Sequence, residues 1–383
     1  MERQPDSSRR RFLKAGAIAG GGLLLGFYLP ARPRLQAAEG PSASRFAPNA
    51  FIRIDPDDTV TIVVNKSEMG QGVYTSLPML VAEELEADWE RIRVESAPAH
   101  PDYNHTQWGT QVTGGSSSVN SSWEQLRTAG ATAREMLIAA AAVTWGVAAN
   151  ACRAENGRVL HEASGRSLSF GALAAQAAEM PVPEAVLLKD PEEFNIIGKP
   201  VKRLDSPEKS RGTAVFGLDV SLPGMRTAVI ARPPVFGATL KSHEAGPAEA
   251  VPGVEGVVVI PNGVAVVARD FWSAKKGRDA LAIEWDLGPN AELSSEALRA
   301  RYAEEAKEGG LLAQAVGDAE RAFIAAEKVV SASYDLPYLA HAPMEPLNCV
   351  ADVRADRCEI WTGTQLQTVD QQAAATIAGL SPG

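Results

Sequence analysis

Two glycine-rich stretches, each set just before a helical period, constrain this chain more than any other feature of its 383 residues. The first is Lys66-Ser67-Glu68-Met69-Gly70-Gln71-Gly72-Val73-Tyr74-Thr75. It follows the β-type run Thr59–Asn65 and leads into the periodic apolar positions of Leu77–Ala87. Glycine lets a backbone approach a ligand closely, and a helix start presents unpaired N–H groups at the positive end of the helix dipole. The second is Gln111-Val112-Thr113-Gly114-Gly115-Ser116-Ser117-Ser118-Val119, ahead of the long Ala-rich period Val119–Trp145. It supplies backbone donors and three hydroxyls with no bulky side chain. Taken singly, the first is equally a tight turn that needs only its glycines, and the second a serine-rich loop with Ser as helix cap. Taken together they predict two helix starts facing one polyanionic ligand. Gly70, Gln71, Gly72, Gly114, Gly115, Ser116, Ser117 and Ser118 are then the candidate binding residues.

The remaining pattern predicts an α+β fold. Ala50–Ile54 and Thr59–Asn65 read as strands joined by the turn Asp55-Pro56-Asp57-Asp58, and Arg91–Ser96 as a half-buried strand. Cys152–His161 reads as a hairpin about Asn156-Gly157, and Leu173–Met180 as a short helix. The proline-rich stretch Pro181–Pro200 marks a boundary. Lys209–Asp286 alternates short β runs, such as Val257–Ile260 and Val264–Ala268, with Pro-Gly and Asn-Gly turns and one helix, Phe271–Leu281. Gly288–Glu292 reads as a linker and Ser294–Glu308 as an exposed, charged helix. Lys328–Tyr334, Asn348–Val353 and Cys358–Thr362 read as strands, and Val369–Ile377 as a helix. With 45% hydrophobic and 22% charged residues, bulk disorder is excluded, and a net charge of −10 argues against a nucleic-acid surface. No GxxxxGK[ST], HExxH, GxSxG or zinc-type Cys/His spacing is present. The five histidines are scattered and read as surface or packing residues. The three cysteines, an odd number without a CxxC pair, read as structural, mostly buried thiols.

The charge is unevenly spread. Residues 1–38 hold seven Lys/Arg and two Asp/Glu, a net of +5, which leaves −15 for the rest. Ser7–Lys14 reads Ser-Ser-Arg-Arg-Arg-Phe-Leu-Lys and is followed by the apolar, glycine-rich run Ala15–Leu29. That run is shorter than the roughly 20 apolar residues a spanning helix needs. This is the pattern of a signal peptide of the twin-arginine type, which exports chains already folded. A periplasmic location is expected. Ala37-Ala38 offers small residues, but Leu35 and Gln36 precede them, so an uncleaved, membrane-associated form is the alternative. Export in the folded state suits a protein that receives a large cofactor in the cytoplasm.

Glu68-Met69-Gly70-Gln71-Gly72, then Ala82-Glu83-Glu84-Leu85, then the Gly114–Ser118 loop, in this order, resemble the molybdenum hydroxylases of the xanthine dehydrogenase and aldehyde oxidase family. In that family, matching segments wrap the molybdopterin cofactor. Lys209-Ser210-Arg211-Gly212-Thr213-Ala214-Val215-Phe216-Gly217-Leu218-Asp219, with Pro223-Gly224-Met225 and Val251-Pro252-Gly253-Val254, resembles the family's α/β hammerhead domain. His341-Ala342-Pro343-Met344-Glu345-Pro346 and Trp361-Thr362-Gly363-Thr364-Gln365 resemble the segment that opens the cofactor domain after the hammerhead. The glycine-glutamine motif precedes the hammerhead here. That order is similar to the branch holding the large chain of isoquinoline 1-oxidoreductase and related exported aldehyde dehydrogenases. The resemblance spans residues 50–380 and implies four parts. These are a signal peptide over 1–38, a molybdopterin-binding segment over 39–200, a hammerhead over 201–290, and the beginning of a second molybdopterin-binding domain over 291–383.

The resemblance further implies that the candidate glycines and serines hold the phosphates of a molybdenum-bearing molybdopterin or of its cytosine dinucleotide form. It implies oxidation of a small molecule, an N-heterocycle or aldehyde, with oxygen drawn from water. Electrons would leave through iron–sulfur clusters on a small [2Fe-2S] partner subunit to an acceptor such as a cytochrome, since this chain has no cluster-type cysteine spacing. The family's Gly-Gly-Phe-Gly loop and its late catalytic glutamate are not among these 383 residues. The expectation is therefore an incomplete enzyme, with no catalytic or metal-ligating residue assigned. Glu345 is the one acid in a motif that the resemblance places near the pocket, and it is equally a structural carboxylate. Two other readings stand beside this one: a truncated, non-catalytic chain, and an exported protein that binds an anionic ligand.

Overall fold

The structure, a computed structural model, describes residues 23–26 and 50–382. Apart from one four-residue strand, the expected signal segment over 1–38 lies outside the described residues. Two compact units divide the chain: residues up to Asp219 together with Asn348–Gly383, and Val220–Leu347. Contacts set this division, whereas the sequence boundaries at 200 and 290 rest on composition and resemblance.

The first unit opens with a four-stranded sheet in the order β1-β2-β3-β4, formed by β1 (Leu23–Gly26), β2 (Ala50–Ile54), β3 (Val60–Val64) and β4 (Ile92–Ser96). The expected Asp55–Asp58 turn joins β2 to β3: Asp55 N–H donates to the Thr59 carbonyl at 2.9 Å. β4 lies parallel to β3, which requires a crossover, and helix α1 (Val73–Leu85) supplies it. Helix α2 (Ser118–Trp145) packs along α1. A Cβ added at Gly130 of α2 would sit 2.4 Å from the Val81 carbonyl oxygen, so glycine is what permits this close crossing. The core between sheet and helices holds Phe51, Ile52, Ile62, Leu77, Leu85, Leu126 and Met136, all buried. The hairpin at Asn156-Gly157 forms as expected between β5 (Arg153–Glu155) and β6 (Arg158–His161), and β7 (Arg166–Ser169) adds a third strand. Helices α3 (Phe170–Ala177) and α4 (Ser206–Arg211) follow.

Helix α1 ends in two acidic residues, which the negative end of its dipole disfavours. Both are offset by specific partners. The buried Glu83 carboxylate accepts the N–H groups of Asn195, Ile196 and Ile197 and pairs with Lys189 Nζ at 2.7 Å. Buried Glu84 pairs with Arg127 at 2.7 Å and accepts Lys189 N–H. The proline-rich stretch is thus strapped onto α1 by charge.

The second unit contains β8 (Thr227–Ala231), β9 (Thr239–Glu244), α5 (Gly246–Glu249), β10 (Val254–Ile260), β11 (Gly263–Ala268), α6 (Phe271–Ala280) and β12 (Ala282–Asp286). Its strands form one sheet in the order β10-β11-β8 and one pair, β12-β9. Val264, Val266 and Ala274 are buried where α6 covers this sheet. The exposed helix α7 (Ser295–Glu305) buries no residue, as its charge pattern predicts. A short helix α8 (Ala319–Ala325) follows. The expected strand Lys328–Tyr334 does not form: among the described residues no ladder partner lies beside it, and Val330 and Tyr334 are exposed. A β-type composition makes a strand only where another strand's edge is available.

The chain then returns to the first unit with the antiparallel pair β13 (Cys349–Val353) and β14 (Cys358–Thr362), and helix α9 (Gln367–Ala378). Three unpaired thiols are present. Cys152 is buried, but Cys349 is exposed and Cys358 half-buried, because the β13–β14 ribbon covers neither face fully. The expectation of mostly buried thiols is corrected to that extent.

Candidate functional site

Three segments of the first unit converge at one junction. Ser67 N–H donates to Thr113 Oγ1 at 2.8 Å, and Ser67 Oγ donates to the Thr364 carbonyl at 2.5 Å. Thr113 N–H donates to the Gln365 carbonyl at 2.9 Å, and Gln365 Nε2 returns a bond to the Thr113 carbonyl at 2.7 Å. Gln367 Nε2 reaches Ser67 Oγ at 2.9 Å, and Thr110 and Thr368 share a hydroxyl contact of 2.7 Å. Both glycine-rich stretches and the Trp361–Gln365 motif therefore meet, although 297 residues separate Ser67 from Thr364.

The first loop differs from expectation in its donors. Gly70 and Gly72 adopt the left-handed φ values of +104° and +91° that favour glycine, and α1 starts at Val73 rather than at Leu77. The reason is Glu68. Its carboxylate accepts the N–H groups of Gly70 (2.7 Å), Gly72 (3.0 Å) and Tyr74 (3.0 Å), which satisfies the helix start from within the chain. Arg203 holds it in place, with Nη2 on Glu68 at 3.1 Å and Nη1 on the Gly70 carbonyl at 2.9 Å. Asp205 in turn anchors Arg203 at 2.8 Å and Lys209 at 2.6 Å, and the Arg203 hydrogen bond holds the Asp205 carboxyl down to about 2. Burial pushes Glu68 up, but its three N–H bonds outweigh this and leave it below the ordinary glutamate value. The exposed Gln71 amide is folded back onto Met69 N–H and the Ser67 carbonyl. The loop's open sides are those of Gly70 and Gly72, where an added Cβ would meet nothing within 4 Å.

The second loop is built alike but left open. Gly115 and Ser116 take positive φ, +60° and +52°, and Ser117 caps α2 without a side-chain bond to the helix. The Ser117 hydroxyl instead donates to the Gly114 carbonyl at 2.8 Å and contacts His105 Nε2 at 2.9 Å. Among the described residues, no acceptor meets the N–H groups of Gly115, Ser116, Ser118, Val119 or Asn120. His105 is itself buried and stacks on the half-exposed Trp108 at 4.2 Å and 8°. Burial and the nearby Lys66 charge lower the His105 pKa, so its ring is neutral at pH 7. Lys66 lies under the loop, buried, with Nζ on the Val112 carbonyl at 3.0 Å. Two buried side-chain atoms at the same junction, Gln111 Nε2 and Gln367 Oε1, have no partner among the described residues.

All eight expected binding residues thus lie on these two loops. Gly115, Ser116 and Ser118 offer free N–H donors among the described residues, whereas the Ser117 donors turn back to Gly114 and the donors at Gly70 and Gly72 are taken by Glu68. Glu345 lies in the second compact unit and is half-buried. Lys66 and Glu68 stand inside the motif without having been given a role by sequence. His105, one of the scattered histidines expected at the surface or in packing, sits against the second loop. Trp108, Arg203 and Gln367 gave no local signal.

The donor set tests well against a phosphate-bearing cofactor. Five open N–H groups, the hydroxyls of Ser116 and Ser118, a helix dipole and a buried ammonium all favour an anion, and among the described residues no carboxylate occupies the second loop. Fold and site define a cofactor-cradling α+β chain. Two family profiles, each described as a molybdopterin cofactor-binding domain, match residues 18–219 and 303–383. The chain belongs to this family, that of molybdenum hydroxylase large subunits.

Among curated relatives, the beta chain of isoquinoline 1-oxidoreductase from Brevundimonas diminuta is 34% identical over 98% of this chain and 54% of its own length. A membrane-bound aldehyde dehydrogenase [pyrroloquinoline-quinone] of Gluconacetobacter polyoxogenes is 30% identical, over 96% of this chain and 49% of its length. A nicotinate dehydrogenase subunit of Pseudomonas putida is 29% identical, over 82% of this chain and 27% of its length. The chain spans about half the length of the first two of these relatives.

Proposed function

We propose that this chain is the molybdopterin-binding part of an exported molybdenum hydroxylase that oxidises an N-heterocycle or an aldehyde. The observation that carries the reading is the open donor cluster at the α2 start, tied to the glycine-glutamine loop and to the Gln365–Thr368 segment. The names of the relatives support the substrate class, two of them naming N-heterocycles and one an aldehyde. When bound, the molybdenum cofactor supplies a two-electron oxidation with oxygen drawn from water.

The chain's own part is binding and orientation. Gly115, Ser116, Ser118 and Val119 N–H groups, with the hydroxyls of Ser116 and Ser118, would take the phosphate of the pterin or of its cytosine dinucleotide, and Ser117 braces the loop through Gly114 and His105. Glu68 and Arg203 keep the Gly70–Gly72 loop in one shape, so that its open glycine faces and Gln71 border the cofactor without competing for the phosphate. The substrate's electrons pass to a small [2Fe-2S] subunit and from there to an acceptor such as a cytochrome. The twin-arginine head delivers the loaded, folded chain to the periplasm.

Producing the chain in a host supplied with molybdate tests this. Metal analysis should find molybdenum, and acid oxidation should release a fluorescent pterin, with cytidine monophosphate if the dinucleotide is present. Pyrroloquinoline quinone in place of pterin, or neither, would overturn the reading. A reporter fused behind residues 1–38 should reach the periplasm only in a host with an intact twin-arginine pathway.

A further inference from the structure

Charged side chains buried in the first unit are Lys66, Glu83, Glu84, Arg127 and Asp205. Four of them have counter-ions: Glu83 pairs with Lys189, Glu84 with Arg127, and Asp205 with Arg203 and Lys209. Lys66 is the exception. It is 1% exposed, among the largest fully buried side chains, and its Nζ meets the Val112 carbonyl at 3.0 Å but pairs with no described carboxylate. An ammonium removed from water without a counter-charge is costly and tends to lose its proton, and burial lowers Lys66 to about 8.

Its position tells where the missing charge belongs. Val112 lies two residues before Gly114, and Ser67, next to Lys66, bonds Thr113. The ammonium is therefore held on the stretch that leads directly into the loop whose N–H groups are open. Its field reaches His105, the ring that contacts Ser117 Oγ on that loop. Helix dipole and ammonium point the same sign at the same place.

We propose that Lys66 is the buried counter-charge of the phosphate held at the α2 start: it makes this loop select a phosphate, and the bound phosphate completes its ion pair. This rests on the reading of residues 114–120 as the cofactor's phosphate cradle. It assigns to Lys66 a positioning and selectivity role that needs no contact with the reacting atoms.

The test uses the cofactor-free full chain and inorganic phosphate, followed by calorimetry at pH 8.5 in two buffers of different ionisation enthalpy. Near that pH Lys66 is only partly protonated, while His105, lowered from its ordinary value, is neutral and adds no proton. Binding to the wild type should therefore take up protons, seen as a buffer-dependent heat. Lys66→Met should bind phosphate at least tenfold more weakly, without proton uptake, and its melting temperature without phosphate should equal or exceed that of the wild type. Equal affinity in Lys66→Met, or a wild-type heat independent of buffer, overturns the proposal. The wild-type buffer dependence stands alone if the variant does not fold. A wild type that binds no phosphate removes the cradle reading and this proposal together. Phosphate bound alike by wild type and Lys66→Met, but lost in Ser117→Ala, removes only the role of Lys66.

Discussion

The starts of α1 and α2 share one grammar: left-handed turn residues, a glycine pair or near-pair, and unpaired helix N–H groups. They differ in what fills them. At α1 the chain supplies its own anion, the Glu68 carboxylate, latched by Arg203. At α2 no side chain among the described residues does so, and an ammonium is held on the Val112 carbonyl just before the loop. The first arrangement makes structure and the second leaves capacity for a ligand. A nest of N–H groups is thus a site only when the protein declines to fill it, which glycine count alone does not reveal.

The far end of α1 offers the sharpest way to test the filled case. Glu83 accepts three N–H groups and a lysine while fully buried. Glu83→Ala strands three N–H groups and leaves Lys189 with Glu86 alone, so it should cost about 3–5 kcal/mol in urea unfolding. The 187–197 strap should become the first site of limited proteolysis. Equal stability would mean that the strap is held by packing instead.

Glu68→Ala should come next. It strands three N–H groups and leaves Arg203 to Asp205 and the Gly70 carbonyl, for an expected loss of about 2–4 kcal/mol by the same measurement. Glu68→Gln should lose less, because an amide oxygen still accepts. The sign of the pH effect follows from the lowered pKa. Glu68 stabilises the fold above the ordinary glutamate value of 4.5, and that contribution is lost as the pH falls through its lower folded value. The acid limb of the stability profile should therefore flatten in Glu68→Gln.

Lys66 shifts stability in the same direction with pH, but here it is the charged form that the fold disfavours. Its folded pKa of about 8 lies below the ordinary 10.5, so the unfolded chain binds more protons between those values. Ligand-free stability should rise from pH 8 towards 10.5 relative to Lys66→Met. A flat difference would show that the ammonium is already compensated.

The smallest stability effect belongs to the open loop. Ser117→Ala removes a hydroxyl that touches only Gly114 and His105, so it should change stability by less than about 1 kcal/mol. It should nevertheless weaken phosphate binding in the same calorimetric titration. A large loss of stability would erase the distinction between the two helix starts.

Much of the fold was legible locally. The Asp55–Asp58 and Asn156-Gly157 turns, the strands beside them and the long helix to Trp145 all follow from turn chemistry and periodicity. The failures have identifiable causes. The apolar period of α1 begins at Leu77, whereas Glu68, by accepting the Tyr74 N–H, extends the helix back to Val73. Lys328–Tyr334 has strand composition but no edge to pair with. In the site, the two loops were readable as glycine patterns, but their occupancy was not. Arg203 reaches Glu68 across 135 positions, and Gln365 reaches Thr113 across 252.

By itself, the sequence determined the α+β class, the two helix-start loops and the motif order that marks the cofactor-binding family. Those features depend on short-range chemistry: glycine's freedom at positive φ, periodic apolar positions, and turn residues. Only the tertiary structure decided which loop is closed and which is open. That choice depends on where a carboxylate, a guanidinium and an ammonium from distant segments come to rest once burial has removed the water that would otherwise satisfy them.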